Sequence, residues 1–135
     1  MVSLNMGTSY PLNQDMIDRV VGRGRIGNYA YGYIDESGQF VVMYVGRSDL
    51  DLHERIGHGI EEFAKHPEYR YECFKFSYAT TAQEAYEKEC RNYHDFGGED
   101  GLLVNAVHPA KPEGTPVDCP VCGNSKSMNY LDFFN

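Results

Sequence analysis

Met43-Tyr44-Val45-Gly46-Arg47-Ser48, followed after a short gap by Leu52-His53-Glu54-Arg55-Ile56, decides how this chain is read. The first stretch is rich in β-branched and aromatic residues and ends on a glycine, which makes it a strand. The second opens a helix and carries an arginine in its first turns. Working outward, Tyr29, Tyr31 and Tyr33 alternate with Ala30, Gly32 and Ile34, the period-two pattern of another strand. Asp35-Glu36-Ser37-Gly38 is a turn by composition, so the two strands form a hairpin whose second arm begins at Phe40. A third strand is expected over 71–78. Upstream, 13–21 reads as a short helix with Met16, Ile17, Val20 and Val21 on one side, ended by Gly22-Arg23-Gly24-Arg25. These elements predict an α/β (α+β) fold with a small three-stranded mixed or antiparallel sheet flanked by helices.

Two helices carry start signals. Asp51 with Glu54 suits a capping box, Leu52, Ile56, Ile60 and Phe63 form the apolar stripe, and Pro67 closes it. Gly57 and Gly59 each weaken that helix by about 1 kcal/mol relative to alanine. Close approach of a ligand backbone would give a reason for them; poor helix formation is the other reading. The next helix begins at Thr81, with Glu84 as capping partner, and stops near Gly97-Gly98. Projected at about 100° per residue, its buried stripe holds Ala85, Tyr86, Cys90, Tyr93 and Phe96, and Glu89 falls inside it. Glu84 and Glu87 face away. A carboxylate on an apolar face is costly unless it is paired or binds a metal. Glu89 is therefore the acid singled out, with a core glutamate hydrogen-bonded to a tyrosine as the structural alternative.

The set Tyr29-Ala30-Tyr31, Tyr44-Val45-Gly46, Arg55 and Glu84-Ala85-x-x-x-Glu89 resembles the GIY-YIG nuclease domain over 29–106. Tyr31 matches the tyrosine of the first motif, with Tyr29 and Tyr33 competing by period, and Tyr44 matches that of the second. Arg55 matches the helix arginine, Glu89 the metal-binding glutamate, and Asn105 an asparagine that closes the family's core. A position that is often His or Tyr in the family is Gly59 here, with His58 one residue earlier and His53 before the arginine. The resemblance implies a metal-dependent endonuclease that hydrolyses phosphodiester bonds, in DNA before RNA. It also implies one Mg²⁺ or Mn²⁺ held by Glu89 and the substrate phosphate. Arg55 would bind the scissile phosphate, Tyr31 would act as base or water positioner, and Tyr44 would hold the nucleophile. A catalytically degenerate module that binds nucleic acid or protein is the alternative from another class.

Charge pulls the other way. Twelve Lys and Arg against twenty Asp and Glu leave a net charge of −8, unlike the basic surfaces that grip nucleic acid. A local patch of Arg23, Arg25 and Arg47 is the candidate contact with the phosphate backbone. No apolar run approaches the roughly 20 residues of a membrane span, and the first residues lack a secretory pattern. A cytoplasmic, reducing setting is expected, with the four cysteines as thiols or metal ligands.

Residues 1–28 read as an N-terminal extension and 107–135 as a Pro-rich linker and tail. The tail carries Cys119-Pro120-Val121-Cys122-Gly123, the shape of a zinc knuckle that turns backbone amides toward two thiolates. Zinc needs about four ligands. His108 is the nearest further donor, and Cys73, Cys90 or a second chain, in a homodimer through the tail, are other sources. Two free or redox-active thiols are the alternative, and a zinc-organised interaction module is a third functional reading. The closing residues Tyr130, Leu131, Phe133 and Phe134 are apolar enough to dock on the domain or on a partner.

Overall fold

The chain, in a computed structural model, is described over residues 3–97, 103–105, 108–112 and 118–123. A two-residue strand β1 (Tyr10–Pro11) leads through Asn13 into helix α1 (Gln14–Val20), whose first turn is capped by Asn13 Oδ1 accepting from the Met16 N–H at 2.8 Å. The hairpin follows as β2 (Gly27–Ile34) and β3 (Phe40–Ser48). Asp35 Oδ1 organises its turn by accepting from the Ser37 and Gln39 N–H groups. Helix α2 (Leu52–Lys65), a 3₁₀ turn (Pro67–Tyr69), strand β4 (Cys73–Tyr78) and helix α3 (Ala82–Asp95) complete the order.

All pairings are antiparallel and the sheet order is β1-β4-β2-β3. Among the described residues four strands stand where the sequence predicts three, because Tyr10 and Pro11 pair with Phe74 and Cys73. So short a strand has no periodicity to betray it, and its proline sits at a sheet edge, where a missing N–H donor costs nothing. The hairpin has a bulge after Tyr31, where Met43 is the extra residue between Tyr44 and Val42.

The two faces of the sheet bury separate cores. On one side α1 and α2 cover Tyr29, Tyr31 and Phe74 with Ile17, Val21, Leu52 and Ile56, joined by Tyr71. On the other, Tyr93 of α3, Leu4, Met6 and Leu103 cover Ala30, Val42 and Val45. Helix α3 starts as expected, with Thr81 Oγ1 accepting from the Glu84 N–H at 3.1 Å, while Glu84 Oε2 reaches the Thr80 N–H. Helix α2 does not use the expected box. Asp51 Oδ1 accepts instead from the Gly24 N–H at 3.0 Å, tying the glycine-arginine loop to the start of the helix. No helix among the described residues is long and apolar enough to cross a membrane. The apolar residues 130–134 lie outside the described residues.

Candidate active site and metal centre

Gly46, the last residue of the Tyr-Val-Gly triplet, faces Tyr29 across the hairpin. A Cβ there would lie 2.5 Å from the Tyr29 hydroxyl oxygen, so the strand must present bare backbone to the ring. Tyr29 stacks on Tyr44 at 6.1 Å between centroids. The charges of Glu89 on α3 and Arg55 on α2 both reach these two phenols. The hairpin thus brings Tyr29, Tyr44 and Gly46 together, with α2 and α3 supplying opposite charges in their neighbourhood. Burial raises the pKa of Tyr44, the Glu89 carboxylate adds to it, and Tyr29 and Arg55 only partly oppose the rise. Tyr44 is therefore a hydrogen-bond donor at neutral pH, not a phenolate.

Tyr31 has a different task. Its hydroxyl donates to the Ile56 carbonyl at 2.8 Å and lies 3.3 Å from that of Arg55, and its ring is 3% exposed. Burial, with the Tyr44 charge next, drives its pKa far above the ordinary tyrosine value. The ring packs on Gly59, where a Cβ would lie 2.6 Å from the phenol oxygen. This close approach explains a glycine in mid-helix. The partner is a side chain of the protein's own core and not a ligand.

Glu89 is buried, as its place in the apolar stripe requires, but its neighbour is an arginine and not the tyrosine considered from sequence. Arg47 Nη1 donates to Glu89 Oε1 at 2.7 Å, and Arg47 Nε donates to Asp49 Oδ1 at 2.8 Å. Tyr86 lies beneath the guanidinium, 5.2 Å from Cζ to ring centroid. Burial raises the Glu89 pKa and Arg47 pulls it back. Burial works against the Arg47 charge, and Glu89 and Asp49 outweigh it. Glu89 Oε2 accepts no hydrogen bond from the described residues, and the side chain is 11% exposed.

The other candidates are scattered. Arg47 is 8% exposed and spent on carboxylates, so it is no part of a surface patch. Arg23 is exposed and pairs loosely with Asp18 at 3.7 Å, and Arg25 lies over the Tyr78 ring at 3.9 Å. His58 is exposed on α2, whereas His53 is buried with Nε2 2.8 Å from Asp18 Oδ1. Asn105 clasps the outer edge of β3: its Oδ1 accepts from the Val45 N–H at 2.9 Å and its Nδ2 donates to the Val45 carbonyl at 2.8 Å.

The tail builds a second site. His94, His108, Cys119 and Cys122 bring four ligand atoms within 4.8 Å of one another, a group able to hold a metal ion. His108 and the two cysteines were legible in the sequence; His94, in the last turn of α3, was not. Its signal is its place one turn beyond Cys90, beside the buried stripe. All four cysteines are free thiols, and neither Cys73 nor Cys90 belongs to the group. Cys90 instead packs with Cys119 and Tyr86 in a small buried cluster. One chain supplies all four donors, so completing the set needs no second chain.

The polar detail suits a metal. His94 Nε2 is buried without a hydrogen-bond partner. His108 Nδ1 lies 2.8 Å from the Pro109 carbonyl, which fixes the ring proton there and leaves the Nε2 lone pair facing Cys122 Sγ at 3.5 Å. The Val121 N–H donates to Cys119 Sγ at 3.4 Å, and Gly123 closes the turn with φ +76°. Burial alone would raise the Cys119 pKa, but the backbone N–H groups of Cys122 and Val121 outweigh it and hold the thiol below its ordinary value. Neither a family model, a curated protein nor a solved structure matches this chain.

Proposed function

We propose that this chain is a phosphodiester hydrolase with a GIY-YIG-type site, cutting nucleic acid, DNA before RNA. The observation that carries this reading is the packing of Tyr29 on the bare backbone of Gly46 and on the Tyr44 ring, with Arg55 on α2 and the buried Glu89 on α3 near enough for their charges to act on both phenols. With Tyr29 as the tyrosine of the first motif, the motif's glycine falls on Gly27, giving Gly27-Asn28-Tyr29 beside Tyr44-Val45-Gly46. Tyr31 then positions α2, and with it Arg55, through its bond to the Ile56 carbonyl.

The donor chemistry at Glu89 suits one hard divalent ion, Mg²⁺ or Mn²⁺. Such an ion keeps most of its waters and takes one or two carboxylate oxygens plus substrate phosphate, and Glu89 offers its uncommitted Oε2. Bound there, the ion would relieve phosphate charge and lower the pKa of a water. Arg55 donates charge-assisted hydrogen bonds to the scissile phosphate. Tyr44, protonated, orients the attacking water or a phosphate oxygen, and Tyr29 supports it by stacking. The second ion we propose is Zn²⁺ at His94, His108, Cys119 and Cys122, since two thiolates and two imidazoles form a closed structural ligand set.

A binding module that does not cut is the second reading. It is favoured by the Arg47 guanidinium, which already occupies the Glu89 carboxylate. The deciding assay incubates labelled DNA and RNA of several structures at low salt with Mg²⁺ or Mn²⁺. It compares the wild type with Glu89→Gln, which keeps the shape and a partner for Arg47. Cutting by the wild type alone supports the hydrolase. Absence of cutting by both, with substrate still bound, replaces it by the binding module.

A further inference from the structure

The His94, His108, Cys119 and Cys122 centre and the Asn105 clasp belong to one continuous piece of chain. We infer that a metal ion at this centre locks a strap onto the outer edge of β3, holding Asn105 on Val45 beside Gly46 and Arg47. The inference rests on the zinc reading proposed above and adds what the ion does for the rest of the protein.

Three observations carry it. First, among the described residues the strap meets β3 at one place: the Val104 N–H donates to the Met43 carbonyl at 2.6 Å, the Asn105 amide pairs with both backbone groups of Val45, and Leu103 joins the buried cluster of Val42 and Val45. Second, the described residues beyond α3 bury little. Leu103, Pro109, Pro112 and Cys119 are buried, and the rest are half-buried or exposed. Among these described residues apolar burial is confined to a few side chains, so a bound ion would carry much of the cost of ordering them. Third, the ligands bracket the strap. His94 ends α3 on one side of it, and His108 follows Asn105 by three residues, a chain length that spans at most about 10 Å. Fixing both histidines to one ion confines Asn105 to the neighbourhood of Val45.

Four protein donors fill a tetrahedron and leave no open position for substrate. The centre is therefore structural. Its connection to the candidate active site runs through two elements: α3, which carries Glu89 and His94 five residues apart, and β3, where Arg47 lies two residues beyond Val45.

The Val45 amide hydrogen is a direct reporter, because its acceptor is Asn105 Oδ1. The experiment measures zinc content and residue-resolved hydrogen exchange on the full chain, zinc-loaded and after removal of the ion with a chelator. The expected result is one zinc per chain, with Val45 and Val104 exchanging faster by about tenfold or more after removal while Phe74 in β4 keeps its protection. Asn105→Ala should keep its zinc and still expose Val45. A chain that takes up no zinc overturns the zinc reading itself. Zinc bound with Val45 equally protected in both states overturns the lock and leaves the zinc reading standing. Loss of protection at Phe74 together with Val45 also overturns the lock, in favour of an ion that supports the whole fold.

Discussion

Replacing Arg47 by methionine isolates the buried ion pair, because Met keeps much of the apolar stem over Tyr86 and removes the charge. Glu89 would remain, 8% exposed and without its one hydrogen-bonded partner among the described residues. With charge centres about 4 Å apart, an effective dielectric near 20 gives about 4 kcal/mol. This agrees with the roughly 3–5 kcal/mol lost when one half of a buried pair is removed. Asp49 adds little, since its side chain is 33% exposed and water takes over from the guanidinium. The loss carries a pH signature. Glu89 has a raised folded pKa, so its contribution is fully present below the ordinary carboxylate pKa and is lost as pH rises through the folded value. Removing Arg47 takes away the main influence pulling that value down, and the window moves to higher pH. Urea unfolding of zinc-loaded protein, followed by tyrosine fluorescence or circular dichroism, should put Arg47→Met about 3–5 kcal/mol below wild type at pH 8, with a smaller gap at pH 5. In the double variant Arg47→Met/Glu89→Leu, most of the loss should return. A gap below about 1 kcal/mol at pH 8, or one equal at both pH values, would refute the reasoning.

Gly59→Ala should destabilise by about 1–3 kcal/mol in urea despite alanine's better helix propensity, because the new methyl meets a Tyr31 ring anchored to the α2 backbone. Tyr31→Phe should lose about 0.5–1.5 kcal/mol of stability and, by loosening the hold on α2 that positions Arg55, lower any cleavage rate by less than Tyr44→Phe, which should reduce that rate with little effect on stability. Asp18, held below its usual pKa chiefly by hydrogen bonds from Gln14 and His53, stabilises the fold above the ordinary Asp range and loses that effect as pH falls through its folded value. Asp18→Asn should therefore be less stable than wild type at pH 6 and match it near pH 2, as thermal unfolding across that range would reveal.

The sequence was legible where periodicity or capping chemistry acted locally. Helix α3 is the clearest case: its cap at Thr81 and its stripe of Ala85, Tyr86, Cys90 and Tyr93 were readable, and the same projection placed Glu89 among them. What one strand's alternation cannot give is the partner on the next element. Arg47 belongs to the face of β3 that meets α3, so a residue assigned to a phosphate-binding patch closes an ion pair with Glu89 inside the fold. The tyrosines illustrate the same limit. Tyr29 and Tyr31 share a face and a period, and only the packing of α2 on that face decides which hydroxyl is consumed by a backbone carbonyl. His94 was missed because a histidine near a helix end carries no pattern until the tail folds back to it.

The Asn105 amide acts as a one-residue strand, giving Val45 the pairing that a fifth strand would have supplied. Phe40-Val41-Val42-Met43-Tyr44-Val45 is an uncharged, β-prone run without proline, and it lies on the outermost strand. Such an edge is the template on which identical chains add to one another. Asparagine is well chosen for the cover, since it satisfies both backbone groups of Val45 but offers no outward-facing ladder to the next molecule. At Val45 the cover of this edge thus rests on a single carboxamide, and Asn105→Leu should show its first defect in light scattering at high concentration, ahead of any change in secondary structure.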